Sequence, residues 1–414
     1  MQILLAVRKI FEDAESRACS VADEFISANP LPPQSLIEGG AIQDNLTTLW
    51  CRTSLMVSPA RFIFATCQQG AENALKVEVL RESPNLRFAY SRPGFVTFKQ
   101  ADDSPFPDDF QIRSVFARVL GVSLGKCVSE NVVERAKDFW RHLEGRTVEG
   151  LHVFPRDRSE PGHRGYEPGL THESTSTEII LRSAENCPLS LRLDQSQQPV
   201  SSPRPPDPLN GPLIADAILV DCQEWWIGLH RARRPISSWP GGFFPAIQHP
   251  DRIVSRVFFK MHESLVWAGF PLEAGQNVAE IGCSPGGASQ VLLAAGLKVV
   301  GIDPAEVDPL ISENPNFRHI RKRSKDVSRR EFNGVDWLTC DINLPPSYTL
   351  DTVESVVMHP KVRIRGLILT LKLIDWSLAA EIPAFVERVR GWGYSQVRVR
   401  QLHHNRQEVC LVAR

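Results

Sequence analysis

Apolar and polar positions alternate in short blocks along most of this chain. Alternation with a period of two predicts half-buried strands, and a period near 3.6 predicts helices. Between Arg61 and Arg231 the pattern predicts strands separated by a few helices, which is typical of an α+β architecture. The predicted strands are 62–65, 86–90, 94–98, 149–155, 178–182 and one or two within 215–231, and the predicted helices are 71–81 and 132–143.

From residue 254 the pattern changes to a regular succession of strands and helices. A helix is predicted at 254–267, and Gly269 ends it. The strands that follow are predicted up to 281 and at 297–303, 319–320, 335–341, 365–372, 396–401 and 409–412, with helices from 287, at 350–358 and at 378–392. Such alternation predicts a doubly wound, Rossmann-like α/β sheet. Ligands of these sheets bind at the carboxyl ends of the strands.

Changes in composition divide the chain into four predicted segments. Residues 1–58 are expected to be a flexible extension or a mis-called start, with the folded protein opening near Met56. Two α+β domains are expected at 59–125 and 126–234, and the α/β domain at 235–414. Ser190–Gly211 is rich in proline and serine and too poor in apolar side chains to repay ordering, so we expect a linker or flexible insertion there.

A glycine-rich turn between a strand and a helix carries the first functional signal. Gly282-Cys-Ser-Pro-Gly-Gly287 follows an apolar strand, and Asp303 ends the next strand. Glycines let a ligand approach the backbone, and an acid about 20 residues after such a turn is placed to bind a ribose. The second glycine of the dinucleotide pattern is replaced by Ser284. The spacing therefore favours S-adenosylmethionine (SAM) over NAD, and an ordinary ligand-free turn is less well supported.

Composition excludes several classes of protein. The formal net charge of −1 argues against a polyanion-binding tail, and no apolar run reaches the length of a membrane span. Nine scattered cysteines without a Cys-x-x-Cys pair argue against a zinc site or a disulfide framework and fit a cytoplasmic protein. Basic clusters at 318–325, 329–330 and 361–365 are either solvated loop charge or a phosphate-binding rim, and the sequence does not decide between them.

Four ionisable residues stand out by their positions. Lys260 precedes the first strand of the α/β domain, Asp341 and Lys372 end two later strands, and Glu408 opens the last one. A charge at the tip of an apolar strand is costly unless it is paired or functional. Each residue alone is best interpreted as a solvated strand end.

As an ordered set, the four residues resemble the Lys-Asp-Lys-Glu tetrad of the FtsJ-type RNA ribose 2'-O-methyltransferases. Ser255-Arg-Val-Phe-Phe-Lys260, Glu280-Ile-Gly-Cys-Ser-Pro-Gly-Gly287 and Arg406-Gln-Glu-Val409 resemble three motifs of this family. Glu280 stands where the family usually has aspartate. The similarity is greater to the RlmM-type branch, which acts on a cytidine ribose of bacterial large-subunit rRNA, through Trp337–Asp341 and Arg400–Glu408. That branch implies a ferredoxin-like domain at 59–125 and a THUMP-like RNA-binding domain at 126–234.

The resemblance also implies roles for individual residues. Lys372 is the expected base, with its pKa lowered by Lys260, while Asp341 and Glu408 hold the two lysines. Asp303 is expected on the SAM ribose, and Asp326 on the adenine or, alternatively, at a helix N-cap. The remaining expected SAM contacts are Gly282, Ser284, Pro285, Gly286, Gly287 and Asp341.

The sequence thus predicts a SAM-dependent RNA ribose 2'-O-methyltransferase acting on 23S rRNA, without a metal, as a monomer and away from membranes. Trp225, Trp226 and Trp376 are either RNA-stacking or core residues, and at least one of the adjacent pair is expected in the core. The alternative function is a catalytically weak or inactive RNA-binding or ribosome-assembly factor with the same fold. A base methyltransferase is less well supported, because no aromatic residue follows Asp341 and Cys340 should point away from the site.

Overall fold

A computed structural model describes residues 59–159, 169–192, 211–233, 236–245 and 249–414. The predicted extension at 1–58 and most of the Pro/Ser-rich insertion lie outside the described residues. Val57–Arg414 forms one compact unit. Among the described residues, no helix has both the length and the apolar character needed to cross a membrane.

The first half of this unit is built on one seven-stranded sheet. Its strands are β1 (Phe62–Thr66), β2 (Leu86–Arg92), β3 (Phe95–Gln100), β4 (Val119–Val128), β5 (Gly150–Pro155), β6 (Leu213–Asp221) and β7 (Glu224–Arg231). Their order across the sheet is β2-β3-β1-β4-β7-β6-β5. The helices of this half are α1 (Glu72–Glu82), α2 (Val132–His142) and α3 (His172–Ser183).

The sheet continues across the expected domain boundary at residue 125. That position lies inside β4, which pairs with β1 on one side and with β7 on the other. The sheet therefore continues between the two predicted α+β domains, with a register shift in the β4–β7 pairing between Ser123 and Gly125. The division into ferredoxin-like and THUMP-like domains stays a prediction.

The predicted strand at 178–182 is wrong, because these residues belong to α3. Thr171 caps this helix by accepting a hydrogen bond from the backbone N–H of Ser174, and the Ser174 hydroxyl accepts one from the backbone N–H of Thr171. Such a capping box fixes a helix start ahead of the apolar run. The short run Ile179–Leu181 then supplies the buried Leu181 rather than a strand.

The second half has the α/β architecture that the sequence predicts. Its helices are α4 (Val257–Ala268), α5 (Gly287–Ala294), α6 (Pro309–Ser312), α7 (Pro346–Val357) and α8 (Ile382–Gly391). Its strands are β8 (Asn277–Ile281), β9 (Lys298–Ile302), β10 (Phe317–Ile320), β11 (Trp337–Cys340), β12 (Gly366–Lys372), β13 (Val397–Arg400) and β14 (Glu408–Ala413).

These strands form a second seven-stranded sheet in the order β10-β9-β8-β11-β12-β14-β13. The first five strands are parallel, and β14 pairs antiparallel with both β12 and β13. The order reverses direction between β8 and β11, which is where an open α/β sheet opens a crevice for a ligand. The fold of this half is Rossmann-like.

The two sheets are joined by hydrogen bonds at one end of β13. The Arg400 guanidinium donates to the backbone carbonyls of Ala117 and Arg118, and the Gln401 N–H donates to the carbonyl of Val115. These contacts attach the edge strand of the second sheet to the residues that lead into β4.

Candidate active site

Lys260, Asp341, Lys372 and Glu408 meet in one cluster, as the sequence predicts. Lys260 forms ion pairs with Asp341 and, at 3.1 Å, with Glu408. Lys372 contacts Asp341 at 3.0 Å and also forms an ion pair with Glu408. Each lysine lies against both carboxylates and each carboxylate against both lysines, so the cluster of two positive and two negative charges is neutral.

The topology of the second sheet explains this convergence. Asp341 follows β11 and Lys372 ends the parallel neighbour β12, so both side chains lie at the carboxyl edge of the sheet. β14 runs in the opposite direction and begins at that edge, and its first residue, Glu408, pairs directly with Lys372. Lys260 reaches the same point from the buried face of α4.

Burial determines the electrostatics of the cluster. Burial alone would raise the pKa of Glu408, but the charges and hydrogen bonds of Lys260 and Lys372 outweigh it and hold that pKa well below its usual value. Burial alone would lower the pKa of Lys372, but Asp341 and Glu408 outweigh it and raise that pKa. The prediction that Lys260 lowers the pKa of Lys372 is therefore wrong, because the attraction of two carboxylates outweighs the repulsion of one lysine.

The glycine turn between β8 and α5 lies beside this cluster. Gly282 has φ +84°, and a Cβ at that position would lie 2.5 Å from the carbonyl oxygen of Asp341. Gly286, with φ +119°, is the N-cap of α5 and provides no side-chain acceptor for the first turn of the helix. Gly287 approaches the Ser255 hydroxyl so closely that a Cβ would lie 2.2 Å from it. The turn therefore presents bare backbone next to Asp341.

Asp303 is held at the rim of the same turn. One carboxylate oxygen accepts a hydrogen bond from the Ser284 N–H at 3.2 Å, and the other accepts one from the Ala305 N–H at 2.8 Å. Each oxygen keeps a further lone pair, and the residue is partly exposed at the end of β9. These two acceptor oxygens fit the two hydroxyl groups of a ribose diol. The carboxylate and the uncapped helix end together match a nucleoside cofactor with an anionic tail.

Asp326 lies further out along the same edge of the sheet. It is exposed and ends the short 3-10 helix Ser324–Asp326. Its alternative role as a helix N-cap is wrong, because Ser328 caps the following 3-10 helix, Arg329–Phe332.

Glu280 is buried beneath the turn. Its carboxyl group accepts a hydrogen bond from the Ser289 hydroxyl at 2.5 Å. Burial, together with the negative charges of Asp341 and Asp303, raises its pKa to about 8, although the Ser289 hydrogen bond opposes the rise. Glu280 therefore carries a proton near neutral pH, and it supports the turn from below.

The tryptophans of interest differ in burial. Trp225 is 1% exposed and belongs to the core, as expected for at least one of the adjacent pair. Trp226 is partly buried and stacks on Tyr90, with ring centroids 5.8 Å apart. Trp376 is partly buried against Phe116. Cys340 is 2% exposed and burial raises its pKa, which is inconsistent with a nucleophile.

Two positioning residues were not predicted from the sequence. Asn405 accepts a hydrogen bond from the Leu402 N–H at 2.8 Å and donates to Glu408 at 3.5 Å. The buried Glu263 accepts hydrogen bonds from the N–H groups of His403 and His404, both at 2.8 Å. Both residues anchor the loop that precedes Glu408. The run of polar residues at 403–406 is the feature of the sequence that could have indicated such a loop.

Comparison with known proteins is consistent with this site. The second half combines a Rossmann-like sheet with a charged cluster beside a glycine turn. Residues 253–381 match the family described as FtsJ-like methyltransferase.

Two curated relatives share a name, ribosomal RNA large subunit methyltransferase M. The protein of Halorhodospira halophila is 27% identical over 183 residues, which is 44% of this chain and 52% of that protein. The protein of Alkalilimnicola ehrlichii is 30% identical over 186 residues, which is 42% of this chain and 49% of that protein. The chain therefore spans about half the length of the curated relatives that it matches.

Among solved structures, the Methanococcus jannaschii fibrillarin pre-rRNA processing protein aligns with 49% of this chain and 88% of its own length. The identity is 12% and the TM-score is 0.32, so this likeness supports no functional argument.

Proposed function

We propose that this protein is a SAM-dependent RNA ribose 2'-O-methyltransferase that acts on large-subunit rRNA. The observation that carries the proposal is the four-way contact of Lys260, Asp341, Lys372 and Glu408 beside the Gly282 turn. The proposal includes ferredoxin-like and THUMP-like folds in the first half, which would bind the RNA. We also propose that the enzyme is monomeric and cytoplasmic.

The cofactor pocket is assigned to the edge formed by β8, β9 and β11. The turn Gly282–Gly287, including Ser284, Pro285 and Gly286, would hold the methionine end of SAM, whose carboxylate suits the uncapped end of α5. Asp303 would bind the ribose. Asp326 would bind the adenine amino group, and Asp341 would border both the cofactor and the acceptor ribose.

A ribose hydroxyl must lose its proton to become a good nucleophile. Bound SAM supplies a methyl group already activated on a sulfonium. Lys372 is the candidate acceptor of the hydroxyl proton, because it lies at the carboxyl edge of the sheet and is more exposed than Lys260, at 17% against 5% of the side chain. Because carboxylates raise its pKa, Lys372 carries a proton until substrate displaces those contacts or the pH rises.

The other three residues fix the geometry of the acceptor. Asp341 and Glu408 hold both lysines, and Asn405 fixes Glu408. Lys260 is nearly buried and keeps its contacts with both carboxylates, so it would stabilise the negative charge that develops on the ribose oxygen. Positioning the hydroxyl correctly contributes more than any single proton transfer, about 7–11 kcal/mol at best.

Mapping of 2'-O-methyl groups in large-subunit rRNA tests this function in cells. A deletion strain should lack one such group, and expression of the wild-type chain should restore it. The Lys372→Ala chain should be produced at the same level without restoring the methyl group. An unchanged methylation map in the deletion strain would overturn the proposed substrate.

A further inference from the structure

A cleft lined by arginines separates the two sheets. Its volume is about 490 Å³, and its walls come from the residues before β4, the end of β7, the end of α4 and the whole of β13. The arginines that line it are Arg113, Arg118, Arg231, Arg233, Arg398 and Arg400. No carboxylate of the described residues lines it.

Arg118 is paired with the Asp157 carboxylate at 2.6 Å, but most of the other arginines of this cleft have no close carboxylate partner among the described residues. Arg113 and Arg233 are exposed, and neither has an ion pair within 4.0 Å among the described residues. Arg398 and Arg400 donate to backbone carbonyls, and neither forms an ion pair within 4.0 Å among the described residues. Arg231 has its nearest carboxylate, that of Asp109, only at 4.0 Å.

The basic clusters visible in the sequence are different. Arg318 forms an ion pair with Glu331 at 2.8 Å, and Arg321 forms one with Glu306 at 2.9 Å. Their charge is partly neutralised on an exposed surface, where ion pairs contribute little to stability or to a defined geometry. The arginine cleft instead gathers charge in a concave site from three separate segments, namely the residues before β4, the end of β7 and β13.

We propose that the arginine cleft binds the phosphodiester backbone of the RNA substrate. Guanidinium groups suit phosphates, because their forked donors match the phosphate oxygens and their charge persists at every physiological pH. A cavity of this volume is within the usual range for ligand sites, roughly 300–1,000 Å³, and a nucleotide segment fits that range.

The position of the cleft relates it to the candidate active site. Arg400 pairs with Cys410, two positions after Glu408 on β14. Trp267 lies seven residues after Lys260 on α4, which is about 10 Å along the helix axis. RNA held in the cleft thus lies along β13, which pairs with the strand that carries Glu408, and reaches the end of α4, the helix that carries Lys260. This inference rests on the proposed function, and it adds where the backbone binds.

The test uses the full chain and a fluorescein-labelled 20-nucleotide polyuridine as the probe. Binding is followed by fluorescence anisotropy between 50 and 300 mM KCl. Arg113→Ala/Arg233→Ala removes two exposed cations that make no ion pair, so the fold should be unaffected. The slope of log K against log salt should fall by about 1.4, which corresponds to roughly 25-fold weaker binding at 100 mM salt.

Two control variants make the result specific. Arg61→Ala/Arg87→Ala removes two exposed arginines that do not line the cleft, and it should bind polyuridine as the wild type does. Arg113→Lys/Arg233→Lys keeps the charge and should retain most of the affinity. Calorimetric SAM binding should be the same in all four proteins, which confirms that each variant is folded.

Unchanged affinity and salt slope in Arg113→Ala/Arg233→Ala would overturn the proposal, as would an equal loss in the control pair. Displacement of the probe by inorganic pyrophosphate at the same phosphate concentration as by unlabelled polyuridine would also overturn it, in favour of a small anionic ligand. If Arg113→Ala/Arg233→Ala loses polyuridine binding while the wild-type chain transfers no methyl group to rRNA, the cleft is supported and the proposed function is refuted.

Discussion

Replacing Lys372 by arginine separates proton acceptance from charge balance at the candidate site. Lys372 contacts Asp341 at 3.0 Å and pairs with Glu408. Arginine keeps the positive charge between these carboxylates, but a guanidinium does not deprotonate in proteins. Lys372→Arg should therefore preserve the neutral cluster and lose the base, whereas Lys372→Ala loses both.

The expected loss of methyl-transfer rate follows from the role of Lys372 as proton acceptor. A positioned base contributes about 10²–10⁴-fold, which corresponds to about 2.7–5.5 kcal/mol of activation free energy. Both variants should lose at least a hundredfold in the single-turnover rate of methyl transfer. Lys372→Ala should also be less stable, because Asp341 and Glu408 then share one cation. The cost should stay below the roughly 3–5 kcal/mol of a fully buried broken pair, since the Lys372 side chain is 17% exposed.

The assay is transfer of a tritiated methyl group from SAM to rRNA of a deletion strain under single-turnover conditions. SAM affinity, measured by calorimetry, should be the same in wild type and variants. Lys298→Ala is the matched control, because Lys298 is exposed at the amino end of β9, on the opposite edge of the sheet. A wild-type rate in Lys372→Arg would refute proton acceptance by this lysine, and a wild-type rate in Lys372→Ala would refute the site.

Three further outcomes are expected. Because carboxylates raise the pKa of Lys372, the neutral amine grows with pH, so the single-turnover rate should rise about tenfold per unit between pH 7 and 9; a plateau below pH 8 would contradict this. Because the pKa of Glu408 is depressed in the folded state, its ionised form stabilises the fold above its ordinary pKa near 4.5, and this stabilisation is lost as the pH falls below that value. Glu408→Gln should therefore flatten the decline in unfolding free energy that urea unfolding measures from pH 5 to 3. A decline as steep as that of the wild type would contradict this. Asp303→Ala should weaken SAM binding about 10- to 150-fold in calorimetry, which is the value of charged hydrogen bonds of roughly 1.5–3 kcal/mol, and unchanged affinity would remove Asp303 from the pocket.

The second half of the fold could be predicted because its signals are local. Strands β8, β9, β11 and β12 are short apolar runs that end at or next to a candidate site residue, and parallel strands align their carboxyl ends. Asp341 and Lys372 therefore had to lie on one edge once the alternation was recognised. The pairing of Glu408 with Lys372 was less certain, because it depends on β14 running antiparallel.

Other features depend on contacts that a local pattern does not contain. The sheet of the first half crosses residue 125 because β4 pairs with β7, about a hundred residues away. The strand predicted at 178–182 is a helix because a cap at Thr171 outweighs a three-residue apolar run. The raised pKa of Lys372 follows from two carboxylates that the fold brings from separate strands.

The arginine cleft was also invisible in the sequence, for the same reason. Its arginines are single residues from distant segments, whereas the runs at 318–325 and 361–365 are conspicuous in the sequence. Arg400 reaches the carbonyl of Ala117 across 283 positions of the chain. A concave, positively charged surface forms only when the chain folds, so a count of cations along the sequence does not reveal it.

The acceptor atom of the methyl group tests the central claim most directly. Purified chain, SAM with a labelled methyl group and large-subunit rRNA from the deletion strain are incubated, and the RNA is digested to nucleosides for mass spectrometry. The account predicts one labelled nucleoside that carries its methyl group on the ribose 2'-oxygen, and no label with Lys372→Arg. Label on a base, or equal labelling by wild type and Lys372→Arg, would contradict it.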